Sequence, residues 1–249
     1  MAGIPYSEIF LNFYTRYLGD TQVIDGVYTV DTTDPEWQIG IQHYNTAVRR
    51  WGNIDGVLWD ELWTQLSSAS DGTKTYTSGT YSYACPTNMN FPGGTVTLSS
   101  TTNPLFMIPV VDSQDVQALS NNAPYAYFTG NQHTGYFLNL NTGSGDSQFN
   151  GYTINYPYYA KPTYLAVTET GTTVCQMRDP EFAINTMLSL RYQESRNFPA
   201  QQIADRDATQ SLANMEVRNA MGSPGPGNGW YVTAFGPGFG STPSGGFFS

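Results

Sequence analysis

His43 and His133 are the only histidines of this 249-residue chain, Cys85 and Cys175 its only cysteines, and their placement argues against a reactive centre. One histidine reads as part of a helix face and the other as part of a β turn. The sequence sets no Ser, Cys or acidic residue beside either. A zinc site would have to draw all four side chains from separate segments, without the paired ligand spacing that tetrahedral sites use. The acidic pairs Asp60 with Glu61, Asp112 with Asp115 and Asp205 with Asp207 select no general acid and base. Close neighbours on a helix do not face one another, and Asp205 and Asp207 flank Arg206 on what reads as a solvated face. Asp112-Ser113-Gln114-Asp115 and Ser144-Gly145-Asp146 lack the ordered ladder of oxygens of a calcium loop. Gly225-Pro226-Gly227-Asn228-Gly229 precedes neither a helix nor a lysine, so it is no phosphate loop. The expectation is therefore no catalytic residue, no metal ligand and no cofactor.

The regular spacing in this chain belongs to apolar and aromatic side chains instead. Trp37, Ile41, Tyr44, Val48 and Trp51 recur four and three residues apart, which places them on one face of a helix. Asp34 suits the N-cap of that helix and Pro35 its first position, where a missing N–H costs nothing. After Gly52-Asn53 a second helix is expected, with Leu58, Leu62 and Leu66 on one side and Trp59 and Trp63 beside them, closing a helical hairpin. These residues are expected to form core, with Trp59 or Trp63 as the positions that would face another subunit. A first helix spans Tyr6 to Leu18, carrying Ile9, Phe10, Phe13, Tyr14 and Tyr17, with Gly19 as its stop. Between it and Asp34, Asp25-Gly26 suits a tight turn in a short extended excursion.

From about Asp71 to Val174 the composition shifts to Thr, Ser, Tyr, Gly and Pro in short alternating runs. KTYTSGTYSYA, GTVTLSS, LFMIPVV, PYAYFTG, HTGYFLNLN and NGYTINYPYYA each read as a strand or part of a hairpin, enough for a small sandwich or barrel, with a short helix or turn in Asp112–Ser120. Helical spacing returns after Asp179-Pro180-Glu181: Phe182, Ala183, Met187, Leu190 and Tyr192 mark one helix, ended at Asn197-Phe198-Pro199. Ala204, Ala208, Leu212 and Met215 mark another, from about Ala200 to Met221, closed by Gly222. Neither helical end has enough apolar surface to fold alone. The expected fold is α+β: a helical bundle formed by residues 1–70 and 176–222, an antiparallel β domain inserted at 71–175, and an extended arm at 223–249. The arm is rich in Gly and Pro yet keeps Trp230, Tyr231, Phe235, Phe239, Phe247 and Phe248. Rings on an arm without regular structure suit grooves of a partner, ordering on binding, although they would also serve an arm folded over its own subunit.

Composition narrows the classes further. Charged residues make up 12% of the chain, below the usual quarter of soluble domains, and the formal net charge is −10. Lys74 and Lys161 are the only lysines and Arg49-Arg50 the only adjacent basic pair, so there is no electrostatic footprint for gripping nucleic acid. The two cysteines are taken as reduced thiols. The N-terminus lacks the pattern of a secretory signal, and no run approaches the roughly 18 apolar residues that a membrane span requires.

Leu18-Gly19-Asp20 at the end of the first helix, Asn45-Thr46-Ala47-Val48-Arg49-Arg50-Trp51 and Gly56-Val57-Leu58-Trp59-Asp60-Glu61-Leu62-Trp63 together resemble the tailed-bacteriophage head-to-tail adaptor (connector, or neck) family. So does Tyr158-Tyr159-Ala160-Lys161-Pro162-Thr163 followed by Asp179-Pro180-Glu181-Phe182 and two helices. The resemblance covers the helical ends and leaves the role of the β insertion open. It implies a structural virion protein at the neck, assembled in the host bacterial cytoplasm. In that family a small helical bundle forms a ring, generally of twelve copies, under the portal protein, with tail or nozzle proteins below. The C-terminal arm reaches towards the portal and neighbouring subunits. An acidic excess suits a channel through which DNA passes without specific binding, and one arm per receiving groove suits a closed ring. The competing expectations are a carbohydrate- or receptor-binding β protein of a phage tail, on account of the Tyr, Asn, Thr and Gly of the middle region, or another minor virion or tail-completion protein.

Overall fold

The computed structural model describes residues 3–18, 31–54, 56–66, 74–101, 105–119 and 122–222. The turn expected at Asp25-Gly26 and the arm at 223–249 lie outside them. The fold is mixed α+β and divides into two units: Met1–Trp63 with Tyr159–Gly222, and Thr64–Tyr158. The inserted unit thus begins and ends earlier than composition indicates. Residues 159–175, expected in the β domain, belong to the helical unit.

Among the described residues that unit holds four α-helices: α1 (Tyr6–Leu18), α2 (Pro35–Gly52), α3 (Pro180–Glu194) and α4 (Phe198–Gly222). The starts of α2 and α3 follow from their sequence. Asp34 accepts the N–H of Glu36 at 2.9 Å and Asp179 that of Glu181 at 3.1 Å, each just before a proline that needs no partner for its nitrogen. Asn197 caps α4, its carbonyl accepting the N–H of Gln201 at 3.0 Å. The three-residue link from α3 is closed by Arg196, whose φ of +58° is a left-handed conformation normally left to glycine.

One apolar core joins all four helices. Trp37 is fully buried in it, met edge-on by Tyr6 at 5.0 Å and by Phe10 at 4.7 Å between ring centroids. Gly40 permits that approach: a Cβ there would lie 2.5 Å from the Phe10 ring. The most enclosed helix is α3, which packs against the other three and buries Phe182, Ala183, Ile184, Thr186, Met187, Leu188 and Ser189 around most of its circumference.

The expected second helix of the hairpin does not form. Trp59 and Trp63 both have extended backbone, with a single 3-10 turn (Asp60–Leu62) between them, and Trp63–Gln65 is strand β1. A nine-residue helix is too short to hold itself, and tertiary partners claim its backbone groups. The Asn219 side chain takes two of them, accepting from the Asp60 N–H at 3.0 Å and donating to the Leu58 carbonyl at 2.9 Å. The Leu66 N–H goes to the Tyr156 carbonyl at 3.0 Å.

The inserted unit is built from short antiparallel strands, the last of which runs two residues past its end. These are β2 (Lys74–Thr75), β3 (Ser82–Ala84), β4 (Met89–Pro92), β5 (Val96–Ser99), β6 (Phe106–Ile108), β7 (Tyr125–Asn131), β8 (Gly135–Asn141), β9 (Thr153–Asn155) and β10 (Pro157–Ala160). With β1 they make three sheets among the described residues, in orders β1-β10-β4, β2-β9-β5-β6 and β3-β8-β7, from more and shorter strands than the six expected. Two of the expected strands are broken. Gly79, at φ +80°, turns the chain between β2 and β3, and Tyr156 separates β9 from β10. Val96, Leu98, Ile108, Ile154, Leu138 and Leu140 alternate into the interior, as period-two patterning requires. The short helix or turn expected in Asp112–Ser120 is a 3-10 turn, Val116–Ala118.

Candidate interaction surfaces

His43, His133, Cys85 and Cys175, all among the described residues, lie on four separate segments. Among the described residues no group of three or more His, Cys, Asp and Glu is placed to hold a metal ion, and no helix is long and apolar enough to cross a membrane. Cys85 and Cys175 are free, buried and in different units. Burial pushes both thiols up, that of Cys85 to about 11, which disfavours the reactive thiolate. His133 lies exposed in the β7–β8 turn, whose shape is set by Asn131 accepting the N–H groups of His133 (2.9 Å) and Thr134 (3.0 Å). Among the acidic pairs, Glu61 meets Arg178 at 3.2 Å, Asp205 accepts from Ser189 at 2.5 Å, and Asp207 meets the adjacent Arg206 at 3.0 Å.

His43 belongs to a polar cluster that the sequence does not reveal, since its members lie far apart in the chain. The ring Nε2–H donates to Glu194 at 2.9 Å, and Arg191 donates to Glu194 at 3.0 Å and to Glu36 at 2.6 Å while its guanidinium lies 5.3 Å from the Tyr17 ring centroid. Burial alone would raise the Glu194 pKa, but the hydrogen bonds from Arg191 and His43 and their charge outweigh it and hold the carboxyl below its ordinary range. Both acids of this cluster, Glu36 and Glu194, have cationic partners, which tie α2 to α3. A second node, Asp146, accepts from the hydroxyls of Tyr76 and Ser78 and from the Gly79 N–H at 3.1 Å, and these bonds keep its carboxylate low. It fastens the loop after β8 to the β2–β3 turn.

The residues expected as core or subunit interface divide cleanly. Trp37, Ile41, Tyr44, Val48, Trp51, Trp59 and Leu62 lie in the helical core, with Trp59 donating its indole N–H to the Trp51 carbonyl at 2.9 Å. Leu58 is half-buried, and Leu66 is buried outside that core. Of the two tryptophans singled out to face another subunit, Trp59 is enclosed and Trp63 is 46% exposed. The arm residues Trp230, Tyr231, Phe235, Phe239, Phe247 and Phe248 lie outside the described residues.

Charge separates the two units more sharply than any single site does. Of the twenty acidic and ten basic residues, Thr64–Tyr158 holds five: Asp71, Lys74, Asp112, Asp115 and Asp146. The arm at 223–249 holds none, so the helical unit carries sixteen acidic against nine basic residues. Uncharged surface of the inserted unit includes exposed Tyr81, Phe91, Leu105, Met107 and Phe137, while α4 exposes Phe198, Ile203 and Val217. Compositional drift signals the insertion, but the segregation of charge emerges only once the units are delimited. Searches against protein-family models and curated proteins find no match to this chain.

Proposed function

We propose that the chain is a structural virion protein without catalytic activity, a head-to-tail adaptor that forms a ring under the portal of a tailed bacteriophage and joins capsid to tail. The observation that carries this reading is the segregation of charge. A helical unit built from both ends of the chain holds nearly all the charged residues, with acid in excess, while the inserted unit and the arm are almost uncharged. An acidic surface beside DNA repels phosphate and keeps the polymer mobile, whereas uncharged surface is cheap to desolvate where proteins meet. The engaged state of Glu36, Glu194, Asp146 and His43 also suits adhesion better than turnover. In this reading the arm, with Trp230, Tyr231, Phe235, Phe239, Phe247 and Phe248, contacts the portal and a neighbouring subunit. Tail or nozzle proteins attach on the other side of the ring.

The test combines the purified protein with its portal partner and images the product by electron microscopy. Rings docked on the portal are expected, and deletion of residues 223–249 is expected to weaken docking while leaving the thermal unfolding of the body unchanged. Density far from the neck, or a single copy per particle, would reject the adaptor role. Undiminished docking by the truncated chain would reject the role given to the arm.

A further inference from the structure

The outward face of the β3-β8-β7 sheet, which the adaptor reading uses only as uncharged surface, combines aromatic rings with amides and hydroxyls. Register fixes which side chains share it. Ser82 pairs with Asn139 and Asn139 with Tyr127; Ala84 pairs with Phe137 and Phe137 with Thr129. Leu138, Leu140 and Ala126 alternate to the opposite, buried side. The two rows therefore present Ser82, Asn139 and Tyr127 beside Ala84, Phe137 and Thr129. Tyr127 and Phe137 are diagonal neighbours across the β7–β8 ladder, so the two rings rise from the same face of the sheet. Phe137 is 45% exposed and Tyr127 half-buried, its ring 6.3 Å from that of Tyr125.

Solvent-facing strands ordinarily carry charge of both signs for solubility and to discourage edge pairing. Here β3, β7, β8 and the turn at 132–134 contain no Asp, Glu, Lys or Arg. The hydrogen-bonding groups are instead neutral and two-sided. Asn139 donates to the Thr129 hydroxyl at 2.9 Å, which uses one amide hydrogen and one lone pair, leaving the amide oxygen to accept and the hydroxyl hydrogen to donate. Rings flanked by amides and hydroxyls, without charge, match a ligand with apolar C–H faces and a rim of hydroxyls. A charged partner would find no counter-charge here and would lose hydration on docking.

We propose that this face binds a neutral polysaccharide, with sugar rings lying on Tyr127 and Phe137 and their hydroxyls hydrogen-bonded to Asn139, Thr129 and Ser82. Three strands span about 10 Å, the scale of a disaccharide unit. The site belongs to the inserted unit and stands whether or not the chain is an adaptor.

The experiment applies the full-length protein to immobilised neutral and anionic oligosaccharides and titrates any hit by calorimetry at low and high salt. Saturable, salt-insensitive binding to a neutral glycan is expected. Phe137→Ala and Tyr127→Ala should each weaken it about tenfold or more, with Phe137→Trp retaining it and the exposed off-face Tyr81→Ala leaving it unchanged. Both aromatics are partly exposed, so circular dichroism should show the variants folded. Absence of saturable binding, binding confined to anionic glycans and lost in salt, or equal loss in Tyr81→Ala would overturn the proposal. So would sedimentation showing self-association that Phe137→Ala abolishes, which would assign the face to a second copy of the chain.

Discussion

The Asn45 side chain reads the backbone of Leu165 as a strand would, donating from Nδ2 to its carbonyl at 2.9 Å and accepting its N–H at Oδ1 at 2.8 Å. This two-way bond holds an irregular segment against α2. Trp37 adds an indole bond to the Glu169 carbonyl at 3.0 Å, and backbone bonds from Tyr6 to Thr173 and from Ser7 to Gly171 fix the same segment to the start of α1. A loop without regular structure needs such partners wherever it packs its backbone against helices, because each orphaned buried group costs on the order of 1–3 kcal/mol. Leu165 itself is buried. Asn45→Ala removes both bonds at once and is expected to destabilise the helical unit by about 1–3 kcal/mol. Chemical denaturation of the two proteins measures the difference, and an unchanged midpoint would show the segment to be held by packing alone.

That segment is also where sequence reading fell short, and the reason is physical. The caps at Asp34 and Asp179 and the α2 stripe from Trp37 to Trp51 are local signals, complete within a few residues. Residues 161–178 have no periodicity, and their conformation is dictated by side chains more than 100 positions away, as at Asn45 and Leu165. The stretch from Leu58 to Leu66 fails for a related reason. Its apolar spacing satisfies a helix, but Asn219 and the Tyr156 carbonyl supply tertiary partners that an extended chain can use and a helix cannot. The aromatic face of the inserted sheet was legible as a composition but not as a site. Placing Tyr127 beside Phe137 requires the register of β7 on β8.

Gly40 in α2 tests how tightly the helical core is packed. Alanine in a helix interior is favoured over glycine by about 1 kcal/mol. At this position its methyl would meet the Phe10 ring at 2.5 Å and the Tyr6 hydroxyl at 2.9 Å. Phe10 cannot yield easily, being fully buried against Tyr6, Phe13, Tyr14 and Trp37. Overpacking of this kind typically costs about 1–3 kcal/mol or more. Gly40→Ala is therefore expected to lower stability despite the better helix former, and a raised Tm would show that α1 can shift away.

Arg196 offers the opposite sign. Its φ of +58° puts a Cβ-bearing residue in the left-handed region between α3 and α4, at a strain of about 1–2 kcal/mol. The side chain is exposed, so nothing in the core depends on it. Replacement by glycine keeps the Asn197 N–H bond to the Tyr192 carbonyl and relieves the strain, partly offset by the greater freedom of glycine in the unfolded chain. Arg196→Gly is expected to stabilise by about 0.5–1 kcal/mol, a rise of roughly 1–4 °C in Tm. A fall would mean that the unfolded-state entropy outweighs the strain.

Glu169 links stability to acid. Burial pushes its pKa up, but donation from the Thr173 hydroxyl and from the N–H groups of Thr173 and Gly171 outweighs this, so the folded value lies below the ordinary 4.5. A carboxyl whose folded pKa is depressed contributes stability that is fully present above its unfolded pKa and is lost as pH falls through the folded one. Glu194 and Asp146 are shifted the same way, so the whole protein is expected to lose stability on acidification, and the contribution of Glu169 must be isolated by difference. Glu169→Gln keeps the shape of the side chain and removes the charge. The variant should be less stable than the parent at pH 7, with the gap constant down to about pH 4.5 and closing below it as the parent carboxylate is protonated. Thermal unfolding of both proteins between pH 7 and pH 3 provides the measurement. A gap that persisted unchanged to pH 3 would mean that the Gly171–Thr173 turn is held by shape and not by the charge of Glu169.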